Sequence, residues 1–294
     1  MKLLHVSLVL VVAAGALLVG GSHLAEAPPA VPRQEATQPD TFFDKVSFYR
    51  GLKEVQARPP ALQPGRLAGG VVPHHNLAGA MLSTFFIQLE AAPPKSVIVI
   101  GPNHEHRGQR VITGRRGWAT PFGTVAADQE MVDALVKAGL ATLDDAALEQ
   151  EHTVGALMPY LKYHAPATRV VPIILHRDIS LAEMEKLAQV LAPLLAEGSL
   201  LVASVDFSHY LTRAEAEAKD HITWAAIERF DLAGLKRMGP DHLDSPAALG
   251  ILMLTMRQLG AGGPAVEGHT NAGVLLGSDQ IDTTSYFVLT YRVK

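Results

Sequence analysis

The chain predicts an α/β fold, a three-layer αβα sandwich on a mixed, largely parallel sheet in a single domain. Three observations carry this. Val97-Ile98-Val99-Ile100 is a β-branched run with no polar break, and Leu200 to Val205 is another apolar run, as expected of strands covered on both faces. Between the first strands, Leu77, Met81, Leu82, Phe85, Phe86 and Leu89 recur at three and four, so a helix connects them in a right-handed βαβ unit. At 294 residues, 48% hydrophobic and 18% charged, the chain is long enough for one large core.

Residues 1–27 begin with Lys2, continue in an almost unbroken apolar run from Leu3 to Val19 and end at Ala25-Glu26-Ala27. Charged start, apolar middle and small-residue end predict a secretory signal peptide; left uncleaved, the same run is an N-terminal anchor. The body is therefore expected to be exported, periplasmic or extracellular, or held to a membrane by this segment alone. Residues 28–40, rich in Pro, Ala and polar groups without periodicity, read as a linker. The domain is expected to fill 41–294.

Within it, Arg66 to Pro73 is a short strand that closes on Pro73, ahead of His74-His75-Asn76, and Leu77 to Leu89 is the helix. The strand through Ile100 stops at Gly101-Pro102, where proline has no N–H for a ladder, and delivers Asn103, His104, Glu105 and His106 in one loop. Arg110 to Thr113 is a further short strand, and Thr120-Pro121-Phe122-Gly123 a turn. Asp128 caps a helix that Gly139 stops. A helix follows Glu151-His152-Thr153, and Arg169 to Leu175 is a strand. Ser180 and Glu183 form a capping box on a helix to Ala196. The strand from Leu200 ends in Asp206-Phe207-Ser208-His209, and Arg213 to Phe230 is helical. Pro246 opens another helix, where its missing N–H costs nothing, with Asp244 as the expected N-cap. Thr284 to Val293 alternates and is expected near a sheet edge.

The formal charge of -4 leaves no reason to expect nucleic acid or anionic lipid as a partner. No cysteine is present, so disulfides and thiolate ligands are excluded and any metal site must use imidazole and carboxylate.

Three apolar strands end, within a few residues, in histidine: Val72 before His74-His75, Ile100 before His104 and His106, and Val205 before His209. In α/β sheets ligands bind outside the carboxyl ends of the strands. Parallel neighbours lie about 5 Å apart, near enough for loop imidazoles to meet one ion. Each histidine alone also reads as a hydrogen-bonded loop residue, His152 as a helix start and Asp206 as a capping or supporting carboxylate. Imidazole suits Fe, Cu or Zn, and two histidines with one carboxylate and open positions make a mononuclear non-haem iron site.

The series Val72-Pro73-His74, Ile100-Gly101-Pro102-Asn103-His104, Thr120-Pro121-Phe122-Gly123, Glu151-His152-Thr153, Val171-Pro172-Ile173-Ile174 and Ser204-Val205-Asp206-Phe207-Ser208-His209-Tyr210 resembles the Memo-like family, also called AmmeMemoRadiSam system protein B. The match runs from about residue 45 to the end. The family is similar in fold to class III extradiol ring-cleavage dioxygenases, whose iron is held by two His and one carboxylate. The resemblance implies His74 and His104 as metal ligands. The third position, commonly cysteine in the family, falls on Asp244, a return to the two-His-one-carboxylate pattern. It also implies His209 and His152 as acid/base or substrate-orienting groups. His75, Asn103, His106 and Asp206 are expected beside them, touching substrate or supporting the ligands. Gly155 stands where the family often carries Glu, removing one expected support for His152.

The expected cofactor is a divalent metal ion, Fe(II) favoured, with Cu or Zn as competitors, and the expected partner a small-molecule substrate oxidised with O2. Two alternatives stay open: a non-catalytic metal-binding or protein-interaction protein, and a metal-dependent hydrolase.

Overall fold

The computed structural model describes residues 36–61, 63–279 and 282–294, within the unit Glu35–Lys294. The leader 1–27 and most of the expected linker lie outside the described residues. In chain order the strands are β1 (Thr37–Pro39), β2 (Arg66–Val72), β3 (Ser96–Pro102), β4 (Val111–Thr113), β5 (Gly117–Thr120) and β6 (Gly123–Val125). They continue as β7 (Thr142–Leu143), β8 (Arg169–Leu175), β9 (Leu200–Ser204), β10 (Phe207–Leu211), β11 (Ala265–Asn271) and β12 (Thr283–Val293). The helices are α1 (Lys45–Ala57), α2 (Gly79–Phe86), α3 (Gln129–Lys137), α4 (Asp145–Glu149), α5 (His152–Gly155) and α6 (Met158–His164). After them come α7 (Leu181–Ala196), α8 (Arg213–Glu228), α9 (Leu232–Arg237), α10 (Pro246–Gln258) and α11 (Ala272–Leu276).

Among the described residues a nine-stranded sheet runs β10-β12-β2-β9-β3-β8-β4-β7, with β11 on β12. The centre, β2-β9-β3-β8, is parallel, and antiparallel pairing enters at β12 and β4. β3 shows why the sandwich has three layers. Ile98 and Ile100 pack on one face with Leu187 and Leu191 of α7 and Leu252 of α10, while Val97 and Val99 pack on the other with Phe85 of α2, Leu157 and Leu161. Burying a side chain of this size stabilises the fold by about 1.5–3 kcal/mol.

The capping expectations at Asp128 and Ser180 hold: Asp128 Oδ1 accepts from Met131 N, and Ser180 and Glu183 form the reciprocal box. One expectation is corrected. Residues 37–39, inside the expected linker, form β1 in parallel with β5, where Gln38 is buried and the extended backbone beside Pro39 suits a strand. β12 lies near the edge, as expected, one strand in from β10, with β2 paired on one side and β10 and β11 on the other; both of its faces are largely buried, so its alternation does not divide core from solvent. β9 lies between β2 and β3, so the early βαβ unit joins strands that are parallel but not adjacent. No helix among the described residues is long and apolar enough to cross a membrane.

Candidate metal centre

β2, β9 and β3 are successive in the sheet, so the residues that follow them share one rim: His74, Asp206 and His104. The loop after α9 returns to it. Asp244 N donates to the Asp206 carbonyl at 3.1 Å, and Asp206 N donates to Asp244 Oδ2 at 3.2 Å. The N-cap of α10 is Ser245, whose Oγ accepts from Ala248 N at 3.2 Å. This corrects the capping role expected for Asp244: the neighbouring hydroxyl takes the helix N–H and the carboxylate turns to the histidines.

Each of the two imidazoles is fixed through Nδ1. His74 Nδ1 lies 3.1 Å from Ser204 Oγ, and that hydroxyl gives its proton to the Thr153 carbonyl at 2.8 Å, so Nδ1 donates. His104 Nδ1 donates to Glu151 Oε1 at 2.9 Å, and His104 N donates to Glu151 Oε2 at 2.8 Å. Both Nε2 atoms are left for the site. They face Asp244 Oδ2, at 3.1 Å from His74 and 3.9 Å from His104. His152, first residue of α5, stacks on His104 with ring centroids 4.4 Å apart, and His74, His104 and His152 can each bring a nitrogen within 4.8 Å of the others.

The electrostatics separate these groups. Burial opposes charge on His74, but Asp206 and Asp244 outweigh it and lift its pKa to about 9, so without metal it is an imidazolium bonded to Asp244. Burial would raise Glu151; the hydrogen bonds from His104 and Thr153 win and hold its carboxyl down at about 2. For His152 burial and then the positive fields of His74 and His104 act together, pushing it down to about 4, and it is neutral at pH 7.

His74, His104 and His152 form a group that could hold a divalent ion, and the Asp244 carboxylate lies beside it. Two nitrogens and one carboxylate oxygen about 2.0–2.2 Å from an ion lie about 3–3.5 Å from one another; His74 Nε2, 3.1 Å from Asp244 Oδ2, is within this range and His104 Nε2, at 3.9 Å, stands slightly beyond it. Asp244 Oδ1, unlike Oδ2, is buried without a hydrogen-bond partner among the described residues, an unusual state for a carboxylate oxygen. His–carboxylate and His–hydroxyl contacts behind the ligand rings are what orients histidines at metal sites.

The remaining expected residues divide. His209, on β10, lines a pocket of about 150 Å³ together with His104, Asp244, Asn103 and His106, and its buried Nδ1 has no partner among the described residues. Asp206 supports His74, its Oδ1 accepting from His74 N at 3.1 Å. Asn103 spends its side chain on its own loop, donating to the Arg107 carbonyl at 2.7 Å and accepting from Arg107 N at 3.1 Å, so it shapes the pocket wall. His75 is drawn away: its Nδ1 lies 2.6 Å from the Tyr286 hydroxyl, and it neither lines the pocket nor joins the histidine cluster.

A family model described as Memo-like protein matches residues 52–242. The chain belongs to the Memo-like family. A MEMO1 family protein of Pyrobaculum arsenaticum is 30% identical over 230 residues, covering 73% of this chain and 82% of that one. One from Methanopyrus kandleri is 28% identical over 240 residues, covering 78% and 84%. An uncharacterised protein of Escherichia coli K12 shares the fold at a TM-score of 0.52 and 16% identity, over 76% of this chain and 99% of that one. Within this Memo-like chain the matched range takes in every predicted site residue except Asp244, whose part rests on the geometry above. Three further residues emerge only in three dimensions. Glu151 and Ser204 stand inside the quoted motifs but carried no role there, and Arg177 follows β8 with no local pattern to mark it.

Proposed function

We propose that His74, His104 and Asp244 hold one divalent metal ion and that the pocket beside them serves metal-dependent oxidation of a small molecule with O2. The observation that carries this is the shared direction of the donors: both Nδ1 atoms are bound from behind, while both Nε2 atoms and the Asp244 carboxylate face one point. When bound, the metal supplies Lewis acidity and a place where substrate and O2 meet. The chain supplies the rest. Glu151 and Ser204 keep the ligand rings in register. His152, uncharged, offers a hydrogen bond to a substrate hydroxyl without adding charge, and His209 lines the wall from which a proton can be taken or returned. Fe(II) is the metal proposed, since an oxygen donor in place of a thiolate suits it better than Cu(I).

The test is anaerobic reconstitution with Fe(II), then oxygen uptake on a panel of catechols. Metal bound at one equivalent with O2 consumed supports the proposal. Metal bound with no uptake on any phenol favours a binding protein, and ester hydrolysis by the Zn(II) form under argon favours a hydrolase. We propose further that residues 1–27 export the chain, which fractionation of the tagged full-length protein tests: recovery in the cytoplasmic fraction would contradict it.

A further inference from the structure

The pocket beside the candidate ligands carries an arginine that forms no ion pair among the described residues. Arg177 is half-buried in the pocket wall. Its Nη1 donates to the Asp244 carbonyl at 3.1 Å and its Nη2 to the Met238 carbonyl at 2.7 Å, both neutral acceptors. Arg110 pairs with Asp178 and Glu183. Asp178, next to Arg177 in the chain, is thus engaged elsewhere. The Arg177 carbonyl itself accepts from Lys236 Nζ at 2.6 Å, so a second cation stands close behind Arg177.

The pocket holds one carboxylate, and it is not paired with Arg177. Among its lining residues Asp244 is the one carboxylate, and it is turned to His74 and His104; besides Arg177 the other titratable groups are His104, His106, His209 and Tyr210. A bound divalent ion would make the balance more positive. Size and shape restrict the ligand further. About 150 Å³ is the volume that accommodates a benzene-sized molecule. Pro102, Leu175 and Pro240 give that volume an apolar wall.

The backbone concentrates strain here. Three non-glycine residues among those described have positive φ, His106 at 49°, Tyr210 at 62° and Phe230 at 57°, and the first two line this pocket. Such conformations cost of order 1–3 kcal/mol and cluster at ligand clamps. Tyr210 is 74% exposed at the mouth, where strain holds an aromatic ring that the core does not bury.

We propose that this pocket selects a small, single-ring compound bearing a carboxylate, with Arg177 binding the carboxylate and Tyr210 and His106 flanking the ring. The proposal rests on the metal-site reading for its account of Asp244, and names the substrate class of that site. An unpaired guanidinium suits a carboxylate because its parallel N–H groups match the two oxygens.

Benzoate and benzamide, equal in shape and different in charge, are the probes, titrated calorimetrically into the full chain with and without Zn(II). Benzoate is expected to bind at least about tenfold tighter than benzamide in both forms. R177Q is expected to abolish that preference, and R177K to keep part of it, with Zn(II) content unchanged in both variants. Equal binding of the two probes to the unaltered chain overturns the proposal, whatever the variants do. Benzoate binding that needs Zn(II) and survives R177Q also overturns it, since the carboxylate then sits on the metal. Loss of Zn(II) binding in the unaltered chain would instead overturn the metal reading, while the metal-free titration still decides the role of Arg177.

Discussion

Glu151 is the residue whose removal says most about the site. Its carboxylate is 4% exposed and accepts from His104 N, His104 Nδ1, Thr153 N and Thr153 Oγ1, at 2.8 to 3.1 Å. The fall of its pKa from 4.5 to about 2 corresponds to about 3 kcal/mol at 1.36 kcal/mol per unit. Loss of charge-assisted hydrogen bonds from a buried carboxylate leads independently to a similar figure, about 2–5 kcal/mol. Because the folded pKa is depressed, this stability is fully present above pH 4.5 and is lost as pH falls towards about 2. E151A is therefore expected to unfold about 3 kcal/mol more easily at pH 7 and to lose most of the dependence on pH between 4.5 and 2. It also frees the His104 ring, and removing such a support weakens metal binding by about 10–100-fold. E151Q keeps one acceptor and should fall between. Urea unfolding at several pH values and a chelator competition titration measure both effects. Metal affinity in E151A within twofold of the unaltered chain would refute the role given to Glu151.

Three further outcomes follow from the same geometry. The metal-free chain should lose up to about 3 kcal/mol between pH 6.5 and about 9, because the raised pKa of His74 gives stability that is fully present below 6.5 and disappears as its proton leaves; unfolding free energies equal at pH 6 and 9.5 would contradict this. For the same reason metal affinity should rise about tenfold per pH unit from 7 towards 9, with proton release on binding seen by calorimetry in buffers of different ionisation enthalpy. G101A should cost at least about 1–3 kcal/mol and weaken metal binding, since a Cβ there would collide with Thr153 Cγ2 and lie 2.8 Å from the Ser204 carbonyl, displacing two supports of the ligands; thermal melts and metal titration of the variant check it. D220A offers a contrast: Asp220 is buried, accepting from Ser208 Oγ at 2.6 Å with His269 Nε2 at 2.7 Å, so stability should drop by about 2–4 kcal/mol while metal stoichiometry stays unchanged.

Much of this was legible in the sequence because burial on both faces leaves a plain mark. The runs at Val97 and Leu200 are apolar without alternation, and both became central parallel strands. β10 and β11 left no such mark: Ser208, His209, Glu267 and Gly268 interrupt them, and shifts of register break their pairing with β12. The rim histidines were visible because each follows a strand that ends at the same edge. Asp244 was harder, since its position before Pro246 matches a local capping rule, and only tertiary contact with Asp206 reveals that Ser245 does the capping. Glu151 is a similar case. It caps α5 as its position suggests, yet the same oxygens reach His104 across 47 residues of chain, a pairing that follows from where α5 meets the end of β3. Arg177 had no pattern at all, because a guanidinium acquires meaning only from the charges that fail to surround it.

The central claim is that His74, His104 and Asp244 form the metal-binding set. Its most direct test is anaerobic Fe(II) titration of the unaltered chain beside H74A, H104A, D244A and H152A. One equivalent bound by the unaltered chain, with large losses in the first three variants and retention in H152A, is the predicted result. Undiminished binding by D244A together with loss in H152A would contradict it, and would assign the ion to three histidines instead.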